Sequence, residues 1–206
     1  MLSSLSGFFF GNIEPDNRVC GAIDIFENFW PVPAKTIELV ENECNDPDSE
    51  VYWERAETIG DGPHQKIRTN KLARISHLAT VTDNLVFQNI HNQFNVLLTA
   101  AFAGYKDRYK IFGSWHNEGF SLLKYSQGEY YGEHYDYHPE NKRQVTAICY
   151  LNNDFEGGEL EFPYFDIKIK PQPGMLLLFP SNYAYRHISH TITKGTKYAL
   201  VTWMLD

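Results

Sequence analysis

His134 and Asp136 stand two residues apart, on either side of Tyr135. In extended chain, residues i and i+2 point to the same face, so an imidazole and a carboxylate spaced this way can meet one metal ion. The spacing alone carries little weight. Eight histidines and 11 aspartates in 206 residues give about 0.4 such pairs by chance, and a surface histidine beside a solvated aspartate is the plain alternative. A third ligand would have to come from a distant strand, and His187 and His190 are the candidates.

Downstream of these histidines, Lys197 begins a run of strand-forming residues that reaches Leu205. Lys197, Ala199, Val201 and Trp203 alternate onto one face of that run. A lysine on an otherwise apolar inner face is costly unless an anion pairs with it. Two histidines and one carboxylate with open positions opposite form the ligand set of non-haem Fe(II) oxygenases.

The elements that must carry these groups change character near residue 120. Before it, Pro33 to Glu43 reads as a helix with an acidic flank at 38–50 that should be solvated. Asp83 to Ala103 reads as a stronger one, with apolar residues at spacings of three and four, Asp83 as cap and Gly104 as stop. Ala56 to Asn70 reads as a loop. After it come short β runs at Phe120–Tyr125, Gln144–Leu151, Glu159–Phe162, Phe165–Ile169, Met175–Phe179 and Tyr198–Leu205, broken by Gly and Pro turns. Strands so closely spaced imply antiparallel sheets in a sandwich or roll. The expectation is one mainly β domain: residues 1–119 as a helical and loop support packed on one sheet, and 120–206 as the β core.

Composition narrows the function classes. With 18 basic and 26 acidic residues, a net charge of −8, the chain lacks the basic surface that phosphate requires, so neither nucleic acid nor an anionic membrane is expected as a partner. Cys20, Cys44 and Cys149 are scattered and form no CxxC pair, which excludes a disulfide framework or zinc knuckle. The N-terminal MLSSLSGFFFGN has no basic start, and no apolar run is long enough to span a bilayer. A soluble cytoplasmic protein is the expectation.

Residues 120–205 resemble the Fe(II)- and 2-oxoglutarate-dependent dioxygenases, and most closely the prolyl 4-hydroxylase branch. The family order is a tyrosine strand, HxD, a strand ending Tyr-Leu-Asn, Gly-Gly-Glu, Pro-x-x-Gly with an apolar run, and a distal His followed ten residues later by Arg or Lys. This chain has Tyr125, His134 and Asp136, Tyr150-Leu151-Asn152, Gly157-Gly158-Glu159, Pro171 to Phe179, His187 and Lys197 in that order. Seven ordered elements are far more specific than any one of them.

The resemblance implies a double-stranded β-helix (jelly roll) in which His134, Asp136 and His187 hold Fe(II). It implies that Lys197, Tyr150 and Tyr125 bind 2-oxoglutarate, with O2 as the second co-substrate and ascorbate as reductant. Tyr131, Arg143 and Trp203 match positions that contact the substrate proline in that branch, and Arg68-Thr69-Asn70 loosely matches a segment of its substrate loop. The implied reaction is hydroxylation of a proline in a peptide or protein, coupled to decarboxylation of 2-oxoglutarate to succinate. Lysine at 197 rather than arginine points towards the collagen-type and plant-like enzymes. The sequence leaves the oligomeric state open.

Three other readings compete. The substrate can be another side chain or a small metabolite. The domain can be a non-catalytic β-roll used for binding. A zinc-dependent cupin-like enzyme would leave Lys197 without a purpose. For the tyrosines and Trp203 taken singly, strand packing is the ordinary reading, and Arg143 can be a solvated rim charge. Cys149 reads as a small buried hydrophobe and His138 as rim.

Overall fold

The computed structural model describes residues 14–49, 51–56, 68–81, 83–137, 139–140 and 142–206. His138 and residues 57–67 of the stretch read as a loop lie outside the described residues. The N-terminal half runs β1 (Asn17–Arg18), β2 (Asp24–Phe26), α1 (Pro33–Asn45), β3 (Glu54–Arg55), β4 (Lys71–Ala73), α2 (Ile75–Val81), α3 (Leu85–Tyr109) and β5 (His116–Asn117). Then follow β6 (Ser121–Tyr125), β7 (Tyr131–His134), β8 (Arg143–Tyr150), β9 (Glu156–Gly157), β10 (Leu160–Phe162) and β11 (Ile167–Ile169). The chain closes with β12 (Leu176–Pro180), β13 (His187–Ser189), β14 (Ile192–Lys194) and β15 (Lys197–Leu205).

Both expected helices form, with different ends. Proline opens α1, where its missing N–H would have had no partner. The cap of α3 is Asn84 rather than Asp83: its side-chain oxygen accepts from the amides of Val86 and Phe87 at 2.9 and 3.4 Å. Gly104 does not stop the helix, which continues to Tyr109 and ends with Lys110 in the left-handed region at φ 53°. Tertiary bonds explain the extension. The Tyr105 hydroxyl donates to the Ala22 carbonyl at 2.8 Å, the Tyr109 hydroxyl to Asp24 at 2.8 Å, and Arg108 to Asp24 at 2.5 Å. Together these outweigh the ~1 kcal/mol that a glycine costs inside a helix.

The strands pair antiparallel. Nine form a large sheet in the order β1-β2-β12-β8-β15-β6-β4-β3, with β5 also on β15; four more form the order β11-β10-β13-β7, and β14 pairs with β9. The alternation of β8, β12 and β15 divides their side chains between two cores. Ala147, Cys149, Leu176, Leu178 and Leu200 cluster with Phe94, Leu98 and Phe102 of α3. Tyr150, Leu177, Phe179 and Ala199 cluster with Leu160, Phe162 and Ile169 of the four-stranded sheet. Cys149 and Tyr150 thus go to opposite faces.

Other features also differ from the sequence reading: α2, β7, β13 and β14 were not read from it. The region before residue 120 contributes strands β1 to β5 to the large sheet; at two or three residues each they are too short for alternation to reveal. Nor is the acidic flank at 38–50 wholly solvated. Glu41 is half-buried, and its carboxylate accepts from Asn45, Trp53, Lys124 and Tyr198.

Candidate active site

His134 ends β7 and His187 begins β13, and the two are direct cross-strand partners. Asp136 lies just past β7, where its amide donates to the Ser181 carbonyl at 3.1 Å. One ligand atom from each of the three lies within 4.8 Å of the others. The Nε2 of His134 is 3.5 Å from Asp136 Oδ1, and the Nε2 of His187 is 3.7 Å from Oδ2.

The surroundings set the state of each ligand. His134 Nδ1 lies 2.8 Å from the Gly132 carbonyl, and His187 Nδ1 lies 3.0 Å from the Tyr185 carbonyl. A carbonyl only accepts, so each Nδ1 carries a proton and each Nε2 is the nitrogen turned towards Asp136. Burial pushes the His187 imidazole down to about 4, which keeps it neutral at pH 7. Burial opposes ionisation of Asp136, but the His187 and His134 imidazoles and a 2.7 Å hydrogen bond from Thr146 prevail. They hold its carboxyl well below the usual carboxylate range. Two imidazoles and a carboxylate converging on one point are a donor set that fits a ferrous ion. His190, the other candidate, turns outward, with its Nε2 2.5 Å from Glu161 Oε2.

Above this cluster, Lys197 is 1% exposed although it carries an amine. Its Nζ donates to the Gly158 carbonyl at 2.9 Å and to Ser189 Oγ at 2.5 Å, and lies 4.5 Å from the Tyr125 ring centre. Burial lowers its pKa to about 7; Glu159, farther off, opposes the shift. An ammonium has three donors, so one remains for an acceptor in the cavity. Tyr125 is the cross-strand partner of Lys197, and Tyr150 that of Ala199, so both phenols reach the same space. Burial raises the pKa of each, so both stay protonated donors.

At the mouth, Tyr131 stacks on His134 with ring centres 3.5 Å apart and planes 9° from parallel. The Arg68 guanidinium lies 4.8 Å from the Tyr131 ring centre. Trp203 faces the cavity, and its indole N–H is buried without a partner among the described residues. Tyr125, Tyr131, His134, Asp136, Tyr150, His187, Lys197 and Trp203 all line one cavity. Arg143 is set differently. Its guanidinium lies 3.5 Å from the Trp203 ring centre and makes two 2.6 Å bonds to Glu118. It backs the tryptophan and does not line the cavity wall.

Sequence reasoning missed Thr146, Ser189 and Glu118. Thr146 reads as an ordinary strand residue; only its alternation onto the inner face of β8 with Ile148 and Tyr150 hints at a role. Ser189 follows His187 at i+2, a signal that was available.

The family model of the 2OG-Fe(II) oxygenase superfamily matches residues 120–205. The β core of the chain is thus similar to that superfamily. Several of the proteins it is similar to are named as prolyl hydroxylases. Probable prolyl 4-hydroxylase 9 of Arabidopsis thaliana is 30% identical over 120 residues, covering 44% of this chain and 42% of the plant protein. The chain spans about half the length of the first curated relatives it matches. Among solved structures, a prolyl hydroxylase from Trichoplax adhaerens, in complex with a hypoxia inducible factor oxygen degradation domain peptide fragment, has a TM-score of 0.68. It is 22% identical, over 90% of this chain and 84% of that one. The viral collagen prolyl hydroxylase of Paramecium Bursaria Chlorella virus-1, in its 2OG complex, has a TM-score of 0.62 and 18% identity, over 89% and 96%. At these identities the likeness is one of fold, the double-stranded β-helix.

Proposed function

We propose that this protein is a Fe(II)- and 2-oxoglutarate-dependent hydroxylase that acts on a prolyl residue of a peptide. The observation that carries the reading is the pairing, in one cavity, of a His-Asp-His cluster with a buried lysine that has no carboxylate within ion-pair distance among the described residues. His134, Asp136 and His187 would hold the iron. The chemistry that bound Fe(II) would supply is O2-dependent decarboxylation of 2-oxoglutarate to succinate and CO2, with one oxygen atom going into a substrate C–H bond.

The chain's own residues do the rest. Lys197 receives the far carboxylate of 2-oxoglutarate through a charge-assisted hydrogen bond, which restores the charge that burial disfavours. Tyr150 donates a second hydrogen bond to that carboxylate, and Tyr125, beside Ser189, orients the co-substrate nearer the metal. Leu160, Ala199 and Val201 exclude water from the space between. Tyr131 and Trp203 offer two flat apolar faces that suit a neutral pyrrolidine ring by contact area and shape. A proline-rich peptide arrives already extended, which lowers its ordering cost. Ascorbate serves as the reductant, and the helices keep the large sheet rigid behind the site.

The test is succinate release from 2-oxoglutarate with Fe(II) and ascorbate against a panel of proline-containing peptides, with mass spectrometry of the products. A mass increase of about 16 Da on proline, lost in Asp136→Ala, supports the reading. Oxygen insertion only at other residues would assign the enzyme to a different substrate, and no turnover with any peptide would overturn the peptidyl assignment.

A further inference from the structure

The rung that carries the co-substrate end of the site is the last one of its ladder. Lys197 and Tyr125 pair where β15 begins and β6 ends. On its other side, the β15–β8 ladder begins only at Ala199, and the start of β15 is tied there by Leu151, whose amide donates to the Tyr198 carbonyl at 3.0 Å, and by the Asn152 side chain, which bonds the Tyr198 amide and the Thr196 carbonyl. Terminal rungs fray first. The neighbouring rung pairs Tyr198 with Lys124, and both side chains point to the opposite face of the sheet.

There a single carboxylate oxygen spans the two strands. Glu41 Oε1, from α1, accepts from the Tyr198 hydroxyl at 2.5 Å and lies 2.6 Å from Lys124 Nζ. Its other oxygen accepts from Asn45 at 3.0 Å and the Trp53 indole at 3.3 Å. The Lys124 ammonium lies 4.9 Å from the Trp53 ring centre and 5.8 Å from that of Tyr198. Lys124 and Glu41 are only about one-fifth exposed, so the contact is shielded from bulk water.

We propose that Glu41 is a positioning residue for 2-oxoglutarate, acting through Lys124 and Tyr198 to hold the rung on which Tyr125 and Lys197 face the cavity. This rests on the reading that Lys197 receives the co-substrate. The clamp lies on the face of the sheet away from the ligand and touches no metal ligand. Its loss should therefore weaken the co-substrate and spare the iron.

The experiment compares wild type with Glu41→Ala, Glu41→Gln and Tyr198→Phe. Anaerobic calorimetric titration gives the 2-oxoglutarate and Fe(II) affinities, and hydrogen exchange is followed over residues 121–125 and 197–199. Glu41→Ala should weaken 2-oxoglutarate binding by about fivefold or more, in the range of couplings that contact networks carry. Fe(II) affinity should stay within about twofold. Glu41→Gln keeps an acceptor for Tyr198 and should lose less. Exchange should quicken at the Tyr125–Lys197 rung and not around His134 and His187. If Glu41→Ala does not fold, Tyr198→Phe alone should show the same split to a smaller extent. Wild-type binding with unchanged 2-oxoglutarate affinity in the variants overturns this proposal alone, as does an equal loss of both ligands. A wild type that binds Fe(II) but no 2-oxoglutarate overturns the reading of Lys197 and the clamp with it.

Discussion

Lys197 and Tyr125 stand directly opposite each other on neighbouring strands, with the ammonium 4.5 Å from the centre of the phenol ring. The ring face offers a partial counter-charge, as do the Gly158 carbonyl and Ser189 hydroxyl, but none of these is an anion. A buried cation held this way is stable enough to fold and still short of a full partner. Replacing Lys197 with alanine should cost roughly 30-fold or more in 2-oxoglutarate affinity, the usual result of removing one side of a buried charge pair. Fe(II) binding should persist. Parallel titrations of the two ligands check this, and equal affinity for 2-oxoglutarate in the variant would refute it.

The same lysine makes a prediction about pH. Its folded pKa is about 7 against 10.5 in the open chain. Between those values the unfolded chain binds a proton that the ligand-free folded chain has lost, so this group makes stability rise with pH through the window. Below about 7 both states are protonated and the contribution is flat. Binding of the diacid needs the ammonium and runs the opposite way: affinity should fall by about 25-fold from pH 6.5 to 8.5. Titrations at the two pH values, with Lys197→Met as reference, measure it. A wild-type affinity that does not change across this range would contradict the assignment.

Thr146 tests the support of the metal ligands. Its hydroxyl donates to Asp136 at 2.7 Å and shares a 2.8 Å hydrogen bond with Ser181. Thr146→Val keeps the shape and removes the bond, so Fe(II) affinity should fall by about 10-fold or more, as for other outer partners of metal ligands. Anaerobic Fe(II) titration of a variant with wild-type circular dichroism is the check.

Arg143 should matter to the peptide and not to the co-substrate. With its guanidinium stacked on Trp203 and bonded twice to Glu118, Arg143→Ala frees the indole to tilt and strips the rim of a charge. The expected result is a KM for peptide raised by about fivefold or more, with the KM for 2-oxoglutarate unchanged. A change in the second constant instead would move Arg143 to the other end of the site.

On the far side of the molecule, Arg108→Met would leave the fully buried Asp24 carboxylate with Tyr109 as its remaining side-chain donor. Loss of one partner of a buried pair should cost about 3 kcal/mol of stability. Urea unfolding measures it, and a loss under about 1 kcal/mol would mean that Tyr109 suffices.

The inner face of the site was readable because strands impose a period of two. His134 with Asp136, and Lys197 with Ala199, Val201 and Trp203, follow from that period alone once the segments are taken as extended. The match of the whole ordered motif then separated His187 from His190, and the outward turn of His190 onto Glu161 agrees with it. What was not readable depends on contacts distant in sequence. The run of α3 past Gly104 follows from Tyr105 reaching Ala22 and Tyr109 reaching Asp24 of β2, 83 and 85 positions away. Glu41 looked like one more solvated acid because its partner Tyr198 lies 157 residues further along. Arg143 was placed near the substrate by its position in the motif, but its commitment to Glu118 depends on how β5 folds back on β15.

Strand β15 presents Lys197, Ala199, Val201 and Trp203 to a single cavity. Losing or gaining one amino acid within that segment would send the groups beyond it to the wrong side, removing the lysine or the tryptophan from the cavity in one event. Evolution can therefore retune this pocket by exchanging side chains but not by altering the length of the segment. Laboratory libraries aimed at new substrates should vary positions 201 and 203 and leave the spacing untouched.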